Sequence, residues 1–298
     1  MTGLSLSAVE REVGLSRETL RIWERRYGFP SPARDTRGER AYPLDQVRKL
    51  LIIRRLIDSG HRPGRIVRLP TEALAALAAT PEPTQPRRVE VVEILKRLQR
   101  SDSEGLRVTL AEMLRGGGLR RFVVDLAPDL LEAVGLAWAS GEIGVHHEHL
   151  FSQQFAGVVR AALAEAAAVL GRGGAPCVLM TTFPGEAHGL GLLLAEAIFA
   201  MEGCRAVNLG VETPVDQIAA AAFAHAADLI ALSFSSSYPR HHSRGGLAEL
   251  RAQAPPGAQI WVGGGGAGSR RPGGVVRVRS LDEIASAVAT WRKARPGA

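Results

Sequence analysis

The residues best placed to do chemistry are an acid and an imidazole two positions apart, in the run Glu186-Ala-His-Gly-Leu-Gly191. An imidazole held through one nitrogen by a carboxylate has a fixed tautomer and raised basicity, which makes its other nitrogen a good metal ligand. Upstream lies an apolar strand, 178–182, then a Pro184-Gly185 turn; downstream a helix is expected to run from His188 to about Met201. In an open α/β sheet, the carboxyl end of a strand that feeds a helix is where ligands dock. Two further strand ends are set at the same edge. Ser233-Phe-Ser235 begins after 41 intervening residues from Gly191, and Gly263-Gly264 after 27 more from Ser235. By itself Glu-x-His-x-x-Gly also fits a helix start with an incidental histidine.

Positioning such residues requires a parallel sheet. Apolar runs near 177–182, 205–209, 229–233, 259–262 and 275–279 alternate with helical patterns near 188–201, 214–226, 244–252 and 281–293. This rhythm predicts a five-stranded α/β domain of flavodoxin-like (Rossmann) order over 173–298. The glycines at 263–268 are not a dinucleotide fingerprint, because they follow the wrong strand and no acidic residue stands at the required distance. The three-part pattern resembles the cobalamin-binding Rossmann domain of corrinoid methyltransferases, mutases and regulators. That resemblance implies His188 as the lower axial ligand to cobalt and Glu186 as its partner. It also implies a slot for the displaced nucleotide tail lined by Ser233, Ser235, Gly263 and Gly264, with Gly191 among the cofactor-binding residues. Ser235 stands where leucine is common in that family.

Between 88 and 172 the chain reads as four helices, near 89–99, from a Ser101-Asp-Ser-Glu cap to the glycines at 116–118, 120–139 and 145–170. Count and length predict a four-helix bundle. Trp138 and the pair Glu148-His149, nine residues further on, read alone as a core tryptophan and a solvated pair. Beside a cobalamin domain they resemble the helical cap of methionine synthase and of the CarH/LitR regulators, with the pattern Trp-x9-Glu-His. The resemblance implies that Trp138, Val145, Glu148 and His149 surround a 5′-deoxyadenosyl group. Ala139 follows the tryptophan where photosensory members commonly carry a histidine. The cluster His146-His147-Glu148-His149 lacks the His-Glu-x-x-His spacing of a zinc site, and adjacent helical residues point apart.

The first 67 residues hold 14 Arg/Lys against 8 Asp/Glu, so a net +6 of the chain's +7 lies in its first quarter. This asymmetry predicts a head that binds a polyanion. A Ser7-capped helix to Val13, a glycine turn and a Ser16-capped helix over 17–26 predict a helix-turn-helix. Arg17, Arg21 and Arg25 fall four apart on its second helix, and fit a solvated basic face as well as a DNA-reading one. A basic hairpin around Gly38 predicts a wing, and an amphipathic helix follows from Leu44. The run Leu20-Arg-Ile-Trp-Glu-Arg-Arg-Tyr-Gly28, with Arg40-x-Tyr42, resembles the MerR family of transcription regulators over residues 4 to about 70. That resemblance implies DNA contacts from Arg17, Arg21, Arg25, Arg37, Arg40 and Tyr42, with Trp23 in the core.

The expected architecture is therefore multidomain. An all-α winged helix-turn-helix head (1–75) is followed by a proline-rich linker (76–87), a four-helix cap (88–172) and a cobalamin-binding Rossmann domain (173–298). Apolar stretches broken by Gly, Glu or Arg span no membrane, and the first five residues do not read as a signal peptide. Two cysteines make neither a disulfide framework nor a zinc site, so a cytoplasmic protein is expected. The order of modules resembles the CarH type and implies an adenosylcobalamin-dependent, light-responsive repressor, not an enzyme. It would bind promoter DNA as a homo-oligomer, dimer or tetramer, and release it when the cobalt–carbon bond is photolysed. Methylcobalamin or another cobalamin is the alternative ligand. A light-independent cobalamin sensor and a corrinoid carrier for methyl transfer are the alternative functions.

Overall fold

The computed structural model describes residues 3–34, 38–58, 61–78, 88–170, 174–236, 238–267 and 273–295. The chain forms two compact units, Met1–Val89 with Val134–Val145, and Glu90–Ala133 with His146–Ala298.

The first unit opens with β1 (Gly3–Ser5), α1 (Leu6–Val13), α2 (Arg17–Tyr27), β2 (Ala33–Arg34) and β3 (Arg40–Pro43). Then follow α3 (Leu44–Asp58), α4 (Pro63–Ile66) and α5 (Thr71–Ala78). The cap of α1 is Ser5, whose hydroxyl accepts the Ala8 amide at 3.3 Å, and not Ser7 as expected. Gly14, at φ 67°, ends α1, and Ser16 caps α2 by accepting the Thr19 amide at 3.1 Å. The head is not all-helical, because β1, β3 and β2 form an antiparallel sheet. A three-residue edge strand is too short for its period to show in sequence. The Arg34 guanidinium donates to the Gly38 carbonyl at 2.6 Å across the wing. The wing tip, with Arg37, and the proline-rich segment 81–86 lie outside the described residues. Val9, Val13, Leu20, Trp23, Tyr42, Leu50 and Ile53 form one core.

Helical structure resumes with α6 (Val89–Gln99), α7 (Ser103–Arg121), a π-helical turn (Phe122–Leu126), α8 (Ala127–Ser140) and α9 (Val145–Leu170). The helix end expected at the glycines of 116–118 falls at Gly118, which leaves helical geometry at φ 76° and ψ 162° and parts two helical segments across a kink. One glycine absorbs the bend, while Leu110 before it and Phe122 after it stay buried. Asp102 caps α7, its carboxylate accepting the Gly105 amide at 2.9 Å and the Arg97 guanidinium at 2.7 Å. Phe155 packs on Phe122 and Phe151 with ring centroids 5.6 and 5.4 Å away.

The remainder is β4 (Gly174–Thr181), α10 (Leu190–Met201), β5 (Cys204–Asn208), α11 (Val215–Ala224), β6 (Leu229–Ser233), α12 (Arg240–Gln253), β7 (Gln259–Gly263), β8 (Val275–Arg277) and α13 (Glu283–Lys293). The strands are all parallel in the order β5-β4-β6-β7-β8, the doubly wound arrangement the alternation predicts. A parallel sheet covered on both faces needs continuous apolar strands, and six successive residues of β4 are buried. Leu179, Ile230, Leu232 and Ile260 pack with Ile218 of α11 and Leu247 of α12. On the opposite face Phe199 of α10 meets Trp261 of β7 at 6.2 Å. Because α10 begins at Leu190, Glu186 and His188 lie in the loop before it, not in its first turn.

Beyond β7, Gly264 sits at φ +87°, and a Cβ there would overlap the Phe234 carbonyl. Gly264→Ala should cost about 2–4 kcal/mol, from left-handed strain and backbone overlap together. Gly257→Ala, at φ +90° with nothing nearer than 3.8 Å, should cost only the strain, about 1–2 kcal/mol. Urea unfolding of both variants checks this, and equal losses would contradict it.

Candidate cofactor site and DNA-binding head

Two strand ends meet at Glu186. Its side chain is 1% exposed, whereas that of His188 is 66% exposed. One carboxylate oxygen accepts the His188 ring Nδ1–H at 2.6 Å and the His188 amide at 3.1 Å. The other accepts the Ser235 amide at 2.7 Å and the Ser235 hydroxyl at 2.8 Å. Burial pushes the Glu186 carboxyl up, but the hydrogen bond and charge of His188, with the two Ser235 donors, hold it below its usual value. A carboxylate only accepts, so Nδ1 carries a proton. His188 thus stands exposed at the sheet edge with its Nδ1 engaged by Glu186.

The loop is pinned at several points. The Thr182 hydroxyl donates to the Glu186 carbonyl at 2.6 Å and accepts the Glu212 amide at 2.8 Å. Tyr238 donates to the Pro184 carbonyl at 3.1 Å, and the Gly185 amide donates to Glu212 at 3.2 Å. These contacts come from elements far apart in sequence and carry no local signature.

Beside the loop a cavity of about 500 Å³ opens on the α10/α13 face of the sheet. Met180, Ala231 and Trp261 floor it, Leu192 and Ile284 wall it, and Val124, Pro128 and Leu131 contribute from the helical part. Gly191, Ser233, Gly263 and Gly264 also line it, as expected positions for a tail slot. A Cβ on Gly191 would approach the Ser233 hydroxyl to 3.2 Å. Ser235 is placed differently from expectation, against Glu186 and not among the cavity's lining residues. At the mouth, Asp282 has its carboxyl held below the usual range by the Ser280 hydroxyl. Sequence reasoning did not single out Asp282 or the three helical residues.

Trp138 and Val145 are half-buried in the first unit, where the Gly141 amide closes the end of α8 on the Trp138 carbonyl at 3.0 Å. Glu148 and His149 belong to the second. Glu148 accepts from the Ser152 hydroxyl at 2.6 Å and bonds His149 Nδ1 at 2.9 Å. His147 bonds the Ser101 hydroxyl at 3.2 Å, and burial, then the neighbouring His146, push its imidazole pKa down. Among the described residues no group of three or more His, Cys, Asp or Glu gathers as a metal cage.

In the head, Arg17, Arg21 and Arg25 are all exposed on α2. Arg17 pairs with Glu10 at 2.6 Å, and Arg40 with Glu24 at 3.5 Å. Such solvent-accessible pairs are worth about 0–1 kcal/mol and exchange readily for phosphate. Tyr42, expected at DNA, is instead fully buried in the head's core, its hydroxyl included. The β3 register turns its ring inward against Leu20 and Trp23. Burial raises its pKa, and the Glu24 charge raises it further.

Residues 4–71 match the MerR HTH family of regulatory proteins, and residues 176–285 match the B12 binding domain. The two matches, the winged head and the doubly wound sheet define a MerR-type transcription regulator that carries a B12-binding domain. The chain is 33% identical over 268 residues to the HTH-type transcriptional repressor CarH of Myxococcus xanthus, with 87% of each chain covered. It is 29% identical over 313 aligned positions to the HTH-type transcriptional repressor CarA of the same organism, covering 98% of this chain and 97% of that one. A monomethylamine corrinoid protein of Methanosarcina barkeri shares the fold, at a TM-score of 0.54 and 15% identity over 66% of this chain and 96% of its own. The chain belongs to the CarH family, and is a cobalamin-dependent transcription regulator. No helix among the described residues is long and apolar enough to cross a membrane.

Ser235→Ala removes one of the two donors to a carboxylate oxygen that stays buried. Hydrogen bonds to charged groups are worth about 1.5–3 kcal/mol, and a loss of that size should appear as a lowered urea midpoint with an unchanged slope. A midpoint equal to wild type would mean that Ser235 does not support Glu186.

Proposed function

We propose that the chain is an adenosylcobalamin-dependent, light-responsive repressor that holds promoter DNA as a homo-oligomer in the cytoplasm. The observation that carries the reading is the buried Glu186, which orients an exposed His188 beside a glycine-lined cavity. The donor set suits a cobalt corrin, since one nitrogen of an exposed imidazole is held by a buried carboxylate. His188 would be the lower ligand, and Gly191, Ser233, Gly263 and Gly264 would receive the nucleotide tail. Trp138, Val145, Glu148 and His149 would contact the adenosyl group. When bound, an alkylcobalamin supplies a light-labile cobalt–carbon bond.

Around that group the protein's own residues bind and orient. Glu186 keeps the proton on Nδ1, and Ser235 keeps Glu186 in place. The apolar floor of Met180, Ala231 and Trp261 excludes water from the cavity. In the head, Arg21 and Arg25, with Arg17 and Arg40 released from their exposed acids, would meet phosphates and base edges. Assembly places several heads on one duplex and raises affinity by effective concentration, without new contacts. Ala139, in place of the histidine common in photosensory members, favours a second reading in which cofactor supply replaces light as the signal.

The test is a promoter gel-shift of the full chain with adenosylcobalamin, in darkness and after green light, paired with sizing chromatography. The expected result is a cofactor-loaded oligomer that holds DNA in the dark and releases it when illuminated. His188→Ala should lose cofactor retention and dark assembly together. Dark binding that survives illumination would select the cofactor-supply reading. Retention of cofactor by His188→Ala would overturn the ligand assignment.

A further inference from the structure

Helix α2 carries one large apolar side chain that the core does not use. Leu20 and Trp23 are buried, while Ile22 is 40% exposed. At about 100° per residue, Glu18, Arg21, Ile22 and Arg25 share one arc of the helix, and all four are exposed. Ile22 therefore stands at one edge of that arc, beside Glu18, on the face that a second helix of this motif turns into the major groove. The head's net charge of +6 over residues 1–67 fits that stripe to a nucleic acid, not to another apolar surface. Base edges in the major groove present hydrogen-bonding groups, with one apolar exception, the C5-methyl of thymine. Arg21 and Arg25 answer the phosphates and guanines, and an isoleucine at the edge of their stripe has no polar group to offer.

We infer that Ile22 is a specificity-determining residue that packs on a thymine methyl in each operator half-site and discriminates thymine from cytosine there. The inference rests on the DNA-binding role of the head. Its physical content is a single buried methyl contact per half-site, which corresponds to about a fourfold difference in affinity.

The full chain, loaded with adenosylcobalamin in the dark, first selects an operator from random duplexes. Each thymine is then replaced singly by deoxyuridine, which removes only the methyl group. Wild type should lose about fourfold in affinity at one thymine of each half-site, and Ile22→Ala should lose under about 1.5-fold at the same positions, a coupling that a double-mutant cycle isolates. Ile22→Ala should melt like wild type, because the side chain is not part of the core. Identical deoxyuridine profiles for the two proteins, or no sensitive thymine, would overturn the inference while leaving DNA binding intact. Failure to select any duplex would instead remove the DNA-binding role, and the inference with it.

Discussion

A carboxylate buried between two strand ends is the constraint on which the rest of the site depends. Glu186 follows β4 and Ser235 follows β6, and the four hydrogen bonds of one side chain tie the two ends together. Removing a charge from water is costly unless donors replace the solvent, and here both carboxylate oxygens are doubly supplied. The same bonds fix the ring of His188 through Nδ1, so orientation of that imidazole and closure of the sheet edge are one interaction. Because β4 lies between β5 and β6, this occurs at the switch point of strand order, where a doubly wound sheet leaves a crevice.

The cavity and the head divide the remaining work. Bare backbone at Gly191, Gly263 and Gly264 leaves room beside the sheet, and residues of the π-helical turn and α8 contribute to the same cavity. A ligand there would touch helical and Rossmann elements at once, so its occupancy would bias how they pack. The head contributes affinity of another kind. Its arginines are exposed and pair only with solvent-accessible acids, so each contact is modest.

Much of this was legible in the sequence for identifiable reasons. The strand order followed from apolar runs alternating with helical ones, and Glu186, His188 and the glycines followed from motif spacing. The helix-turn-helix was readable from serine caps and glycine stops, which act within a few residues. What stayed hidden depends on contacts between distant positions. Ser235 read as a mismatched slot residue because nothing local shows that its hydroxyl reaches Glu186, 49 residues away. Tyr42 read as a DNA contact from its motif, but the strand register turns it into the core.

The proposed ligation of cobalt by His188 Nε2 can be read by electron paramagnetic resonance of the protein loaded with cob(II)alamin, prepared with natural-abundance and with ¹⁵N-labelled histidine. A protein imidazole on cobalt should give nitrogen triplets in the unlabelled sample and doublets in the labelled one, with the doublets lost in His188→Ala. Triplets that persist in the labelled protein would show the cofactor's own base on the metal and would contradict the account.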